Sequence, residues 1–186
     1  AYNELLLQRD GNRYRWEPLE NRNLTLQHLD TNEVLKTVRL GIECGRLPED
    51  TGTDIPVILG KFGLLKDGVL NNAAAVLFGK HEDMEYPQCL LRLARFKGTD
   101  KTVFMDSQRI QGNFFQLLNA AMAFIFKHLS LSGTTDTLER EEHLTIPYKA
   151  IREGVLNSLT HRSYKEAGGS VGIAIYDDRV EIENPG

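Results

Sequence analysis

The sequence predicts an α/β (α+β) chain, a mixed sheet with packed helices, on three observations. Cys89–Phe96, Gly172–Tyr176 and Arg179–Glu183 are short runs of strand-forming residues bounded by turn residues. Phe114, Leu118, Met122, Ile125 and Leu129 recur at a spacing near 3.6 within Asn113–Leu129, an apolar helix. Beyond Pro147, Ile151, Val155 and Leu159 recur every four residues as the apolar stripe of a second helix, and Pro suits its first position because the missing N–H costs nothing there.

In chain order, Leu5–Trp16 reads as two short strands around Asp10-Gly11, with Arg13 and Arg15 alternating with Tyr14 and Trp16. Asp30 or Thr31 caps a helix that runs through Val34, Leu35, Val38 and Ile42 to Gly45. Arg46–Thr53 is a loop, followed by a short helix over Ile55–Phe62 that ends at Gly63, and by a turn at Lys66-Asp67-Gly68. Helix, helix and turn suggest a winged-helix arrangement. The second helix is too apolar and too poor in Arg and Lys to read a major groove, so it is assigned to core packing.

Cys89–Phe96 and Thr102–Met105 are strands flanking the turn Gly98-Thr-Asp100. The helix Asn113–Leu129 also carries Phe115, Leu117, Phe124 and Phe126 off its main stripe, which implies burial in the monomer, with a dimer interface as the rival. Gly133–Thr137 is a polar linker. The last two strands join at Asp177-Asp178 in a hairpin or tight bend.

The chain has 186 residues, enough to bury its own core in one domain or two small ones, with 41% hydrophobic and 26% charged residues. No apolar run approaches a membrane span and no basic-then-apolar leader opens the chain, so no membrane association is expected. The start at Ala1-Tyr2 without Met and the stop at Asn-Pro-Gly suggest a fragment of a longer protein. Cys44 and Cys89 are unclustered, which fits a reducing cytoplasm. The net charge of −4 argues against a nucleic-acid groove over the whole chain. Arg9, Arg13, Arg15 and Arg22, and Arg92, Arg95 and Lys97, read as scattered surface cations. The histidines have no metal-ligand spacing, no G-x-x-x-x-G-K-[ST] motif is present, and no nucleophile–base arrangement is recognisable. His81-Glu82-Asp83 is a polar loop cluster.

Glu153 and Asn157 are four residues apart, and each lies two residues, about 200°, from its apolar neighbour, so they share the outer helix face. On spacing alone that is an ordinary solvated face. A carboxylate beside a carboxamide is also a pair that can hold hydrated Mg²⁺ and polarise a water.

The run Ala150-Ile-Arg-Glu-x-x-x-Asn-x-x-x-His-Arg-x-Tyr164, with Tyr176-Asp-Asp-Arg-Val-Glu-Ile-x-Asn-Pro-Gly186, resembles the C-terminal region of a bacterial family. Its members are described as transcriptional regulators or RecG-related ATP-dependent DNA helicases. Gly63–Gly79, Arg95–Gly98 and Gln111–Asn113 resemble the same family's middle region, so the likeness spans most of the chain. The family's C-terminal region is similar to the ATP-binding fold of gyrase, histidine kinases and MutL, the GHKL-type ATPase sandwich. The resemblance implies that Glu153 activates a water, Asn157 holds Mg²⁺ on the ATP phosphates, Arg162 meets phosphate, and Asn184 and Gly186 lie against the adenine. For Arg162 the alternative is an ion pair with Glu166 or Asp178.

The resemblance further implies three segments. Residues 1–25 would be a tail after an upstream AlbA-like (Schlafen-type) DNA-binding domain, 26–133 the middle region, and 134–186 the start of the ATPase-like region. The family's usual partners follow as expectations: DNA through the upstream domain, and a homo-oligomer. Ser163 stands where the family usually has Asp, and Asn184-Pro185-Gly186 stands where the wider fold has Asp-x-Gly. Two functions result: a regulator fragment contributing half of a Mg²⁺–ATP site, or a non-catalytic dimerising scaffold with a degenerate site.

Overall fold

The computed structural model describes residues 15–80, 86–129, 131–134, 141–144, 146–166 and 168–185. Two compact units result, Ala1–Glu85 and Tyr86–Gly186. The expected hairpin around Asp10-Gly11, the cluster at His81-Glu82-Asp83, Arg9, Arg13 and Gly186 lie outside the described residues.

In the first unit, Asp30 caps α1 (Thr31–Glu43) by accepting from the backbone N–H groups of Asn32 and Glu33, each at 3.1 Å. The helix stops where Gly45 takes φ 65°, a left-handed conformation natural to glycine. Asp54 caps α2 (Ile55–Lys61) at the N–H of Val57, and Ile58 and Leu59 are fully buried, as the core-packing assignment required. Strands β1 (Leu65–Lys66) and β2 (Val69–Leu70) pair around Asp67 and Gly68, whose φ values of 49° and 78° make a left-handed two-residue turn. Helix α3 (Asn72–Phe78) follows, capped by Asn71. The segment from Trp16 belongs to this unit. Asn72 donates to the Trp16 carbonyl at 2.9 Å, and Glu20 bridges Asn71.

The second unit is built from β3 (Leu90–Phe96), β4 (Phe104–Gln111), α4 (Phe114–His128), β5 (Leu131–Thr134), β6 (Glu141–Leu144), α5 (Tyr148–His161), β7 (Val171–Ile175) and β8 (Val180–Glu183). Its sheet has the order β4-β3-β7-β8. The central β3–β7 pair is parallel and the outer pairs are antiparallel, a mixed sheet as expected. Strand alternation sends Leu91, Leu93, Val171, Ile173 and Ile175 to one face. There they meet Leu117, Leu118, Ala121 and Ile125 of α4 and Ile151, Val155 and Leu159 of α5. Each such side chain contributes roughly 1.5–3 kcal/mol when fully buried, so this face carries the unit's core. Among the described residues, no helix of this unit packs on the other face.

Three expectations need correction. The strand expected over Thr102–Met105 starts at Phe104 and continues to Gln111. The Gly133–Thr137 linker begins inside a strand, because Leu131–Thr134 pairs antiparallel with Glu141–Leu144. Backbone bonds hold that ladder, so a polar sequence does not forbid it. Arg95 is not one of the surface cations expected of this strand, its side chain being mostly buried. Arg92 is exposed, whereas Arg95 donates to the Ile175 carbonyl and the Asp177 carboxylate. Neither expected seam marks a division between units. Residues 15–25 and 26–80 fall in one unit, and the four-stranded sheet draws β3 and β4 from before residue 133 and β7 and β8 from after it.

Carboxylates stitch the second unit together. Asp106 on β4 accepts from Lys127 and from His128 of α4, both at 2.8 Å, and these bonds, Lys127 foremost, hold its carboxyl below its ordinary pKa. Asp177 accepts from Arg95 and the Gly98 N–H, and Glu181 from Arg179 at 2.7 Å, with the same direction of shift. A carboxyl whose folded pKa is depressed favours the folded state above its unfolded value. That contribution is lost as pH falls through the folded value. The thermal midpoint should therefore hold near pH 5 and fall progressively below about pH 4. Melts followed by circular dichroism across that range check it, and a midpoint constant to about pH 2.5 would count against these bonds.

Candidate functional site

Pro147 precedes α5 as its N-cap, one residue outside the first helical position expected of it. Ile151, Val155 and Leu159 are 6%, 0% and 1% exposed and face the sheet. Glu153 and Asn157 lie on the opposite side, exposed, and neither makes a hydrogen bond or ion pair among the described residues. Between these faces runs the edge of α5 that meets β8. A Cβ on Gly154 would come within 3.2 Å of Ile182 Cδ1, tighter than ordinary contact, so glycine lets the helix lie close to that strand.

The chain after β8 is fastened to the C-terminal half of α5. Asn184 Nδ2 donates to the Ser158 carbonyl at 3.2 Å, and the Ser163 N–H donates to the Pro185 carbonyl at 2.8 Å. Ser158 is buried, its hydroxyl donating to the Val155 carbonyl. Asn184 thus reaches the residue beside Asn157, and its Oδ1 accepts no hydrogen bond among the described residues. The fold brings Glu153, Asn157 and Asn184 to one helix and the strand end beside it.

Arg162 is not with them. It is 4% exposed, and its guanidinium donates to the carbonyls of Gln88, Gly169 (2.9 Å) and Ser163 (3.4 Å) while lying 4.9 Å over the Tyr164 ring. Burial draws its pKa down, yet an arginine stays charged. Tyr164 closes the cluster by donating to the Leu159 carbonyl at 2.9 Å. Among the described residues, neither carboxylate expected as the alternative partner, Glu166 or Asp178, pairs with Arg162. Asp178 pairs instead with Arg179. A usable signal was in the spacing: Arg162 lies seven residues past Val155, on the continuation of the apolar stripe.

Cys89 sits beside this cluster, 1% exposed. Burial pushes its thiol up to about 12 against the pull of Arg162, while Cys44 is exposed and free. At about pH 8 a colorimetric disulfide reagent should titrate one thiol per chain quickly and the second only as the protein unfolds, because the thiolate is the reactive form. Two fast thiols would contradict the burial of Cys89.

Glu153 and Asn157 present a carboxylate and a carboxamide on the exposed face of α5, hard oxygen groups of the kind Mg²⁺ takes together with waters and phosphates. Among the described residues no three His, Cys, Asp or Glu side chains converge as a metal site. Among the same residues, no helix is long and apolar enough to cross a membrane.

No family model matches the chain, and no curated protein does. Among solved structures, the DIP2311 protein from Corynebacterium diphtheriae aligns with a TM-score of 0.69 over 93% of this chain, at 14% identity. This chain spans 33% of that one, about a third of its length. The likeness carries the α/β fold and nothing of activity.

Proposed function

We propose that this chain is the middle region and the start of the ATPase-like region of a cytoplasmic, DNA-associated bacterial regulator of the RecG-related family. In this reading it contributes α5 and the end of β8 to a Mg²⁺–ATP site. The observation that supports it is the pairing of an uncommitted Glu153 and Asn157 on α5 with Asn184, held at the neighbouring Ser158 carbonyl. Asn157 would hold Mg²⁺ on the phosphates and Glu153 would orient the attacking water. The Oδ1 of Asn184 would accept from the adenine amino group. Gly186 would complete the adenine contact. DNA would be engaged through an upstream domain, and the assembly would be a homo-oligomer.

A second reading, a dimerising scaffold with a degenerate site, is favoured by one observation: Arg162, the expected phosphate ligand, is spent on backbone carbonyls. Calorimetric titration of Mg²⁺–ATP separates the two. It is done on this chain and, where the gene continues past Gly186, on the longer product. Saturable binding by either supports a nucleotide site. No heat of binding from both leaves the scaffold.

A further inference from the structure

The uncovered face of the β4-β3-β7-β8 sheet has an order that the nucleotide reading does not use. Register aligns Arg109, Arg92, Gly172 and Glu183 in one row across the four strands, and Ser107, Ala94, Ala174 and Glu181 in the next. Positive charge therefore sits on β4 and β3, negative charge on β8, and the smallest side chains in the middle. These residues line a shallow groove of about 360 Å³. In the row beyond, Phe104 lies against Phe96 (4.5 Å between ring centres), Phe96 stacks on Tyr176 (5.2 Å), and Arg179 covers Tyr176 at 3.9 Å.

Two features of this face are unexplained by the unit's own packing. Arg92 and Arg109 stand directly opposite each other on neighbouring strands, an unfavourable like-charge pair, and neither has a hydrogen bond or ion pair among the described residues. Gly172 lacks a positive φ, and a Cβ there would meet Glu183 only at 3.9 Å, an ordinary contact. Among the described residues of the unit, no contact demands glycine at that position.

We infer that this face is a two-fold interface with a second copy of the chain. A two-fold axis parallel to the strands, midway between β3 and β7, exchanges β4 with β8 and β3 with β7. It sets Arg109 of one copy against Glu183 of the other, in both directions. It places Arg92 over the gap at Gly172, Ala94 over Ala174, and the exposed Phe104 near Arg179. All three rows are self-complementary, which is what an isologous contact requires. Among the described residues, the ion pair of Glu183 is with Lys101, at 3.8 Å between exposed side chains, a contact weak enough to exchange. The acids on β8 repel a polyanion, so a nucleic-acid backbone is the poorer occupant.

The contact is small. Four strands about 4.8 Å apart and five residues about 3.3 Å apart give a flat footprint of roughly 300 Å² per copy, against about 800 Å² for a stable complex. A weak, salt-sensitive dimer is expected, and it should be sought by sedimentation velocity from about 1 to 500 µM, the range of a micromolar or weaker Kd. Arg109→Glu and Glu183→Arg should each weaken self-association about tenfold or more while leaving the circular dichroism spectrum unchanged. An equimolar mixture of the two variants should associate as well as the unmodified chain, because both cross-axis pairs become attractive again.

A chain monomeric throughout that range, or variants that dimerise unchanged, overturns this interface. So does a mixture that associates no better than its components. Unchanged dimerisation would still leave a homo-oligomer formed through another surface. Loss of this interface and loss of the oligomer are therefore separate outcomes.

Discussion

Replacing Arg162 with Ala should lower the stability of the 86–186 unit by about 3 kcal/mol or more, as orphaned buried carbonyls each cost about 1–3 kcal/mol. The guanidinium joins three separate pieces of chain: Gln88 before β3, Ser163 at the end of α5, and Gly169 ahead of β7. Its planar fork reaches carbonyls on both sides at once, which the single ammonium of lysine cannot do. Arg162→Lys should therefore recover only part of the loss. Among the described residues no carboxylate pairs with the buried charge, so the carbonyl dipoles hold it, and removing the cation leaves them unpaired in a dry site. Urea unfolding should show a lower midpoint at unchanged slope. A shift below about 1 kcal/mol would mean these carbonyls are otherwise satisfied. A phosphate-binding Arg162 would behave oppositely, losing nucleotide affinity with little change in stability.

The helices were legible because their ends are written in side chains. Asp30, Asp54 and Asn113 each accept from the backbone N–H groups of a first turn, and α1, α2 and α4 begin directly after them. The left-handed turn at Asp67-Gly68 was legible for a similar local reason. What escaped is non-local. The parallel pairing of Leu91–Arg95 with Val171–Ile175 joins segments about 80 residues apart, and no short-range pattern encodes it. Strand β4 is an edge strand exposed along most of its length, so its middle, Asp106-Ser-Gln-Arg109, lacks the apolar alternation that marks a half-buried strand. The candidate site divided along the same line. Glu153 and Asn157 were placed by helical periodicity alone. The contact of Asn184 with Ser158 depends on β8 lying beside α5, and the burial of Arg162 depends on the Gln88 carbonyl, a partner distant in sequence.

Asn157→Ala should abolish Mg²⁺–ATP binding, and Glu153→Ala should leave binding near normal while stopping turnover. These form the sharpest test of the proposed site because the fold tolerates both changes. The side chains are exposed and unpaired, and alanine is the best helix former, so each variant should keep the parent's stability within about 0.5 kcal/mol. Lost function would then report chemistry rather than unfolding. Asn157 would contribute a neutral oxygen to the metal, and without it the ion and its phosphates lose an anchor in the ground state, so affinity falls. Glu153 would act on the water as charge develops, an interaction made chiefly in the transition state, so kcat falls while Kd holds. Glu153→Gln keeps size and polarity and removes the charge; it should resemble Glu153→Ala if the carboxylate accepts the proton. Normal hydrolysis by either Glu153 variant removes it as the water-activating group. Unchanged affinity in Asn157→Ala returns both residues to what spacing alone says of them, the solvated face of an amphipathic helix.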